Sequence, residues 1–293
     1  MSSETILIVR PGALGDTILS LPLLRSIRSR YPEARITFLG NSTYQDLLPH
    51  SVEFESIDAA GWTWLFESGN SVQPARVFDR AYVILKNGSD VGHNLAKTGT
   101  RLVLSASSVP TPGKHIVESL HLALGFDPPP RRPALGQLAP RMRSDLVWIH
   151  PGSGGPKKCI PLETMRRLTE SIQRETGFSI AVTVGEADGF LKEFPDWERL
   201  VGGQHTYLVE NKPIVELCKQ LGGARLFVGN DSGISHLAAG LGIPSVVFFA
   251  ASDPIQWAPW VLPERLRIID HRDKSSAWPD LKPDVQGILD FFR

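Results

Sequence analysis

Short apolar, β-branched runs recur along the chain, each closed by a polar or glycine-bearing loop and followed by a longer segment of mixed character. The runs at 6–9 (ILIV), 36–39 (ITFL), 81–85 (AYVIL) and 101–104 (RLVL) have strand length and composition. Between and after them, helical patterns run from Asp16 to about Arg30 and over 115–126 (HIVESLHLALGF). Strand and helix in alternation predict an open, mostly parallel sheet with helices on its faces.

The pattern breaks at 127–143, DPPPRRPALGQLAPRMR, whose five prolines and four arginines exclude a regular helix or a central strand. This segment reads as a linker. Alternation resumes with LVWI (146–149), a helix over 162–176, SIAVTV (179–184), a helix over 212–221, RLFV (225–228), a helix over 232–241 and PSVVFF (244–249). The expected class is therefore α/β, with two Rossmann-like, doubly wound parallel-sheet domains at 1–135 and 136–293. Such domains bind ligands beyond the carboxyl ends of their strands, here facing a central cleft. The last helix-like segment, PDVQGILDFFR, is placed to pack back across the domain interface.

Composition narrows the function classes. A chain of 293 residues, 42% hydrophobic and 21% charged, suits an ordinary soluble protein of two domains. Formal net charge is zero, so no global field recruits nucleic acid or a membrane. Cys159 and Cys218 are far apart and form no C-x-x-C pair, which argues against a disulfide framework or a thiolate zinc site and fits a reducing cytoplasm. The start, MSSETILIVR, lacks the layout of a signal peptide, and no window approaches the ~18 apolar residues of a spanning helix. A cytoplasmic protein with at most peripheral membrane contact is expected.

Three loops follow strand patterns and lead into helices, so each would present backbone N–H groups and a positive helix end to a ligand. They are RPGALGD (10–16), HPGSGGPKKCIP (150–161) and GNDSGISH (229–236). Glycines in the second permit close approach of backbone to ligand and its lysines add charge, while Ser232 and His236 of the third share a helix face. Neither the Walker loop nor the dinucleotide fingerprint is present: Lys157 stands where the Walker pattern needs glycine, and PGALGD offers only Gly12 and Gly15. No D-x-D pair is available to hold a divalent ion on a diphosphate, so lysine, helix ends and hydroxyls would neutralise one.

Taken singly, these residues have ordinary readings. Asp16 and Ser232 are placed as helix caps, His236 as a structural histidine, Lys157 and Lys158 as solvated charges and Cys159 as a semi-buried small residue. His115 reads as a helix-start residue, Trp62 and Trp64 as core, and the arginines at 10, 25, 28, 30 and 35 as a solvated helix face. The combination of three such loops at equivalent strand ends favours chemistry.

At these residues the sequence resembles glycosyltransferase family 9, the ADP-heptose:lipopolysaccharide heptosyltransferases. Arg10, Leu14, Gly15, Asp16 and the early Pro22 are similar to the family's opening strand-loop-helix. HPGSG and Lys158-Cys159-Ile160-Pro161 are similar to the start of its second domain, with Ile160 where the family has tryptophan. VGNDSGISHLAAGLGIP (228–244), followed by SDPIQWAPW, resembles its strongest block. The resemblance spans nearly the whole chain, although residues 40–110 leave little room for acceptor-binding insertions.

The resemblance implies a GT-B architecture, with acceptor on the first domain and nucleotide sugar on the second, and transfer by a single inverting displacement without metal or cofactor. Asp16 matches the proposed base, acting late because a carboxylate is a weak base toward an alcohol. Arg10 and Gly15 would meet the acceptor. Lys158, with Ser153, Gly154, Asp231, Ser232, Gly233 and His236, would hold the diphosphate and sugar of ADP-heptose, and Glu186 or Asp188 the ribose. The implied partner is an anionic glycolipid acceptor at the inner membrane, with no nucleic acid. For such an acceptor Trp62 and Trp64 have a second reading as contacts for its acyl part, and the arginines at 10, 25, 28, 30 and 35 as an attractor for its charge. A nucleotide-sugar epimerase, a transferase using another sugar or acceptor, and a non-catalytic binding module are the alternatives.

Overall fold

The computed structural model describes residues 3–67, 76–138, 145–272, 287, 288 and 291. The chain divides into two compact units, residues 1–130 and 131–293.

In the first unit, β1 (Thr5–Arg10) leads through a three-residue turn into α1 (Leu14–Arg30), followed by β2 (Arg35–Gly40), β3 (Val52–Ser56), β4 (Arg80–Ile84), α2 (Ser89–Lys97), β5 (Leu102–Ala106) and α3 (Ile116–Ala123). Its sheet has the order β3-β2-β1-β4-β5, every described pairing parallel. Ile6, Leu7, Ile8 and Val9 of β1 are fully buried, as expected of a central strand covered on both faces. The sheet reverses its order at β1: β2 and β3 lie to one side, β4 and β5 to the other.

The second unit comprises β6 (Leu146–His150), α4 (Leu162–Thr176), β7 (Ser179–Val184), α5 (Trp197–Val201), β8 (Thr206–Glu210), α6 (Ile214–Leu221), β9 (Leu226–Asn230), α7 (Gly233–Gly240), β10 (Ser245–Phe249), α8 (Pro254–Trp257) and β11 (Leu266–Asp270). Its parallel sheet runs β11-β10-β9-β6-β7-β8, and the reversal falls between β6 and β9. Strand ends at such reversals are splayed by connections that leave in opposite directions, which opens the crevice where these sheets bind ligands. All three glycine loops singled out in the sequence follow strands at a reversal: 10–16 after β1, 150–161 after β6 and 229–236 after β9.

Several elements lay outside the apolar-run pattern. The edge strands β3, β8 and β11 are polar or half exposed, and α2 is a nine-residue helix in a polar stretch, so their apolar signal is weak. Helix α1 begins at Leu14, two residues before Asp16, so Asp16 occupies its first turn rather than its cap. Trp62 and Trp64 are buried together with Phe78, and their indole N–H groups donate to Glu55 (2.7 Å) and the Gly61 carbonyl (2.9 Å); they are core. His115 caps α3, its Nδ1 accepting from the Val117 amide at 3.2 Å.

Arg28 donates to the carbonyls of Pro32, Ala34 and Ser51, and Arg30 to that of Gly125 while lying 3.7 Å over the Phe126 ring. Both stand at the far end of a 17-residue helix, roughly 25 Å from its start, where Arg28 ties down the turn that follows α1 and Arg30 the turn that follows α3. In the proline-rich stretch, Leu135 is buried and its amide donates to the Gly240 carbonyl at 2.7 Å, while Arg131 lies 4.2 Å over Trp260, so 131–138 is strapped to the second unit. Of the segment 283–293, Ile288 is buried in that unit's core and Phe291 packs against the same cluster; apart from these two and Gly287, it lies outside the described residues.

Burial also sets a pH response. His121 is fully buried in the first unit, bonded to the Val117 carbonyl (2.7 Å) and Ser26 (3.1 Å), and burial holds its pKa below the ordinary 6.5. Its neutral form is the folded form, so stability is present above the unfolded pKa and is lost as pH falls below it. Thermal melts should show a transition temperature that drops between pH 7.5 and 5.5. Replacing His121 with leucine should make that dependence shallower, by at most about 1.4 kcal/mol per pH unit, and leave the part set by His150, whose pKa burial also lowers.

Candidate active site

In the first unit the turn after β1 is built around a carboxylate. Asp16 is the third residue of α1, and its Oδ2 accepts from the amide of Ala13, the residue before the helix, at 3.1 Å. Its Oδ1 accepts from Nη2 of Arg10, the last residue of β1, at 2.7 Å. The Arg10 side chain is buried, whereas that of Asp16 keeps 33% of its surface exposed. Arg10 also reaches the carbonyl of Ile84 at the end of β4, across the reversal of the sheet. Burial lowers the Arg10 pKa and Asp16 opposes that shift, so the acid is the counterion that makes a buried guanidinium tolerable.

Gly12 is required here: a Cβ at that position would fall 2.4 Å from the Cβ of Asp16. The result is a carboxylate fixed by two donors, with one face open and lone pairs to spare. Gly15 sits half-buried beside it in the first turn.

The second unit gathers most of the other residues. Asn230, the last residue of β9, is fully buried; its amide donates to the Pro151 carbonyl at 2.7 Å, and its oxygen accepts from the Ile160 amide at 3.1 Å. The loop after β6 is thus stapled at both ends to the end of β9. Ile160 itself turns into the core beneath, 3% exposed. Asp231 follows, its Oδ2 accepting from Lys158 Nζ at 3.1 Å and from the Ser252 hydroxyl, its Oδ1 standing 3.9 Å from His236 Nε2. The Asp231 carboxylate is buried while the Lys158 side chain is 45% exposed. The ammonium is therefore anchored from below and open to solvent above.

Ser232 caps α7, its hydroxyl accepting from the Ser235 amide, so the N–H groups of Gly233 and Ile234 stand at the positive end of that helix beside Lys158's anchor. Ser153 is committed to the scaffold: its hydroxyl donates to the Asp231 carbonyl at 2.6 Å and its amide to Asp188 Oδ1 at 3.1 Å. Gly154 is exposed, with open space where a Cβ would stand. The two acids after β7 take opposite positions, Glu186 exposed and Asp188 5% exposed beneath the loop.

His150 is buried with Nδ1 2.9 Å from the Thr183 carbonyl, and burial holds its pKa low, with Asp188 pulling the other way. The Cys159 thiol is pushed up to about 12 by burial, which removes thiolate chemistry from the loop. Among the described residues no group of three or more His, Cys, Asp or Glu side chains is placed to hold a metal ion. No described helix is long and apolar enough to cross a membrane.

Asn230 and Ser252 were not singled out from sequence. Asn230 lay inside the quoted GNDSG loop as one more polar letter, and Ser252 in the SDP turn after β10 had no signal of its own.

Residues 104–276 match the model of glycosyltransferase family 9 (heptosyltransferase). The chain belongs to this family. It is a glycosyltransferase of the heptosyltransferase family of lipopolysaccharide biosynthesis, and its two parallel-sheet units are those of the GT-B fold. It is 26% identical over 290 residues to lipopolysaccharide heptosyltransferase 3 of Escherichia coli, covering 84% of this chain and 83% of that protein. The structure of E. coli heptosyltransferase WaaC with ADP superposes with a TM-score of 0.70 at 16% identity, over 98% of this chain and all of that one. E. coli ADP-heptose lipopolysaccharide heptosyltransferase II gives the same TM-score at 18% identity, over 98% of each chain.

The staple sets a measurable cost. Asn230→Ala leaves the Ile160 amide and the Pro151 carbonyl buried without their partner, and should destabilise the protein by about 3 kcal/mol. Urea denaturation of the variant beside the wild type measures it.

Proposed function

We propose that this glycosyltransferase moves heptose from ADP-heptose to a lipopolysaccharide inner-core acceptor, with inversion at the anomeric carbon and without a metal ion. One observation carries the donor half of this reading. Lys158, anchored on buried Asp231 and open to solvent, stands beside the N-terminus of α7 at the sheet reversal of the second unit. A cation and a helix start in one place are a diphosphate site, and both stabilise the charge that grows on a departing nucleotide. Two of the family members above bear on the nucleotide: WaaC was solved with ADP, and heptosyltransferase II is an ADP-heptose enzyme by name.

In this reading Lys158, Gly154, Gly233, Ser232 and His236 surround the diphosphate and sugar. Asp231 anchors the lysine, Ser153 holds the loop, and exposed Glu186 takes the ribose hydroxyls. The acceptor lies on the β1–α1 turn of the first unit against Gly15, and Arg10 holds Asp16 toward it.

The reaction balances without a cofactor. The acceptor oxygen bonds to the anomeric carbon, the bond from that carbon to the diphosphate oxygen breaks, ADP leaves, and the hydroxyl proton passes to the Asp16 carboxylate. Because Asp16 is held by two donors, its contribution is position, and it acts late, as the hydroxyl acidifies. The enzyme would work in the cytoplasm, peripherally on the inner membrane where the glycolipid acceptor is presented.

Asp16→Asn tests the base. The asparagine oxygen can still accept from Arg10 but supplies no counter-charge and turns a donor toward the Ala13 amide, so the melting temperature should drop; assayed well below it, ADP binding should survive while transfer falls at least about a hundredfold. Retained transfer would remove Asp16 from this role. Thermal shifts with ADP-heptose, ADP, UDP, GDP and NAD test the donor: ADP and ADP-heptose should stabilise the protein, and stabilisation by UDP without ADP would defeat the assignment.

A further inference from the structure

Asp188 is the buried acid that the reaction above leaves unused, and its surroundings give it a task. It lies in the 3-10 turn Glu186–Glu193 after β7, yet its carboxylate is turned away from solvent and under the neighbouring loop. Oδ2 accepts from the Gly185 amide at 2.8 Å, and Oδ1 accepts from the Ser153 amide at 3.1 Å, 35 residues away in sequence. The carboxylate therefore bridges the ends of β6 and β7. Gly152 lies directly against it: a Cβ there would stand 2.1 Å from Oδ1. The loop passes this close to the acid because residue 152 has no side chain, so the glycine and the aspartate form one contact.

From this contact we propose that Asp188 is a positioning residue for the diphosphate loop. It holds residues 152–158 at the height that brings Lys158 to its anchor on Asp231. The proposal rests on the reading of that loop as the ADP site. Two features set its direction. Ser153, clamped by Asp188 at its amide, is clamped at its hydroxyl by the Asp231 carbonyl, so the loop is tied to β7 and to β9 through one residue. Charged acceptors make the stronger of these bonds; Asp188 accepts from two backbone amides, and burial keeps the nearby His150 ring toward its neutral form, so the acid contributes through geometry.

The second half of the contact makes the idea testable from both sides. Asp188→Ala removes both bonds, Asp188→Asn keeps one acceptor and faces the other amide with a donor, and Gly152→Ala pushes the loop off the acid.

The measurements are ADP affinity by calorimetry, well below each variant's melting temperature, and amide hydrogen exchange at Lys158 and Cys159. Those two amides bond to the Gly155 and Pro156 carbonyls and not to Asp188, so their protection reports the loop as a whole. Asp188→Ala and Gly152→Ala should each weaken ADP binding by about tenfold or more and speed exchange at both amides, with Asp188→Asn between them and the wild type. The double variant should bind no worse than Asp188→Ala, since both changes break the same contact. Unchanged exchange at Lys158 and Cys159 in Asp188→Ala would overturn the proposal. So would a lower melting temperature with wild-type ADP affinity, which is what a purely structural acid would give. A wild type that does not bind ADP would defeat the nucleotide reading instead, and the exchange data would still decide whether Asp188 sets the loop.

Discussion

The second unit depends on the hydrogen bonds of one amide side chain. Asn230 ends β9 fully buried, and its donor and acceptor satisfy backbone groups 70 and 79 residues earlier in the chain. Buried polar groups must find partners, and here the partners are the two ends of the loop that carries Lys158. The strand that supplies Asn230 also supplies Asp231 as its next residue, so the staple and the lysine anchor are set by one peptide. Positioning the loop and charging it are consequently the same structural event.

A parallel arrangement is visible in the first unit, at a different cost. There the loop is short, and the polar group at its base is a guanidinium rather than an amide. Burying Arg10 is expensive unless a counterion is supplied, and Asp16 supplies it from the first turn of α1. The same acid accepts the Ala13 amide, so it closes the helix start, neutralises the arginine and keeps an open face. Both units use a glycine to let a carboxylate approach the backbone, Gly12 over Asp16 and Gly152 over Asp188, but only Asp16 faces outward.

Much of this was legible in the sequence, and particular residues show why. The alternation of apolar runs and helices gave the parallel sheets because strands covered on both faces leave an unmistakable pattern. β3, β8 and β11 escaped because edge strands are covered on fewer sides and carry polar residues. Asp16 was legible as a helix-start acid, but the helix begins at Leu14, a buried residue, which leaves the acid inside the first turn. Trp62 and Trp64 had two readings until their N–H groups were seen to be satisfied by Glu55 and Gly61 within the core.

What the sequence determined by itself was local and repetitive: strand, glycine loop and helix, twice over, with Asp16, Lys158 and the GNDSG block at the loops, and a family resemblance carried by those letters. What only the tertiary structure decided was which of these groups face solvent. Glu186 and Asp188 are two residues apart and equivalent as letters, yet one is exposed and the other holds a loop from beneath. Ser252 meets Asp231 across 21 residues of chain, and Ser153 meets it across 78. The direction a side chain takes is set by partners distant in sequence, and those partners exist only once the sheet order has brought the ends of β6, β7, β9 and β10 together.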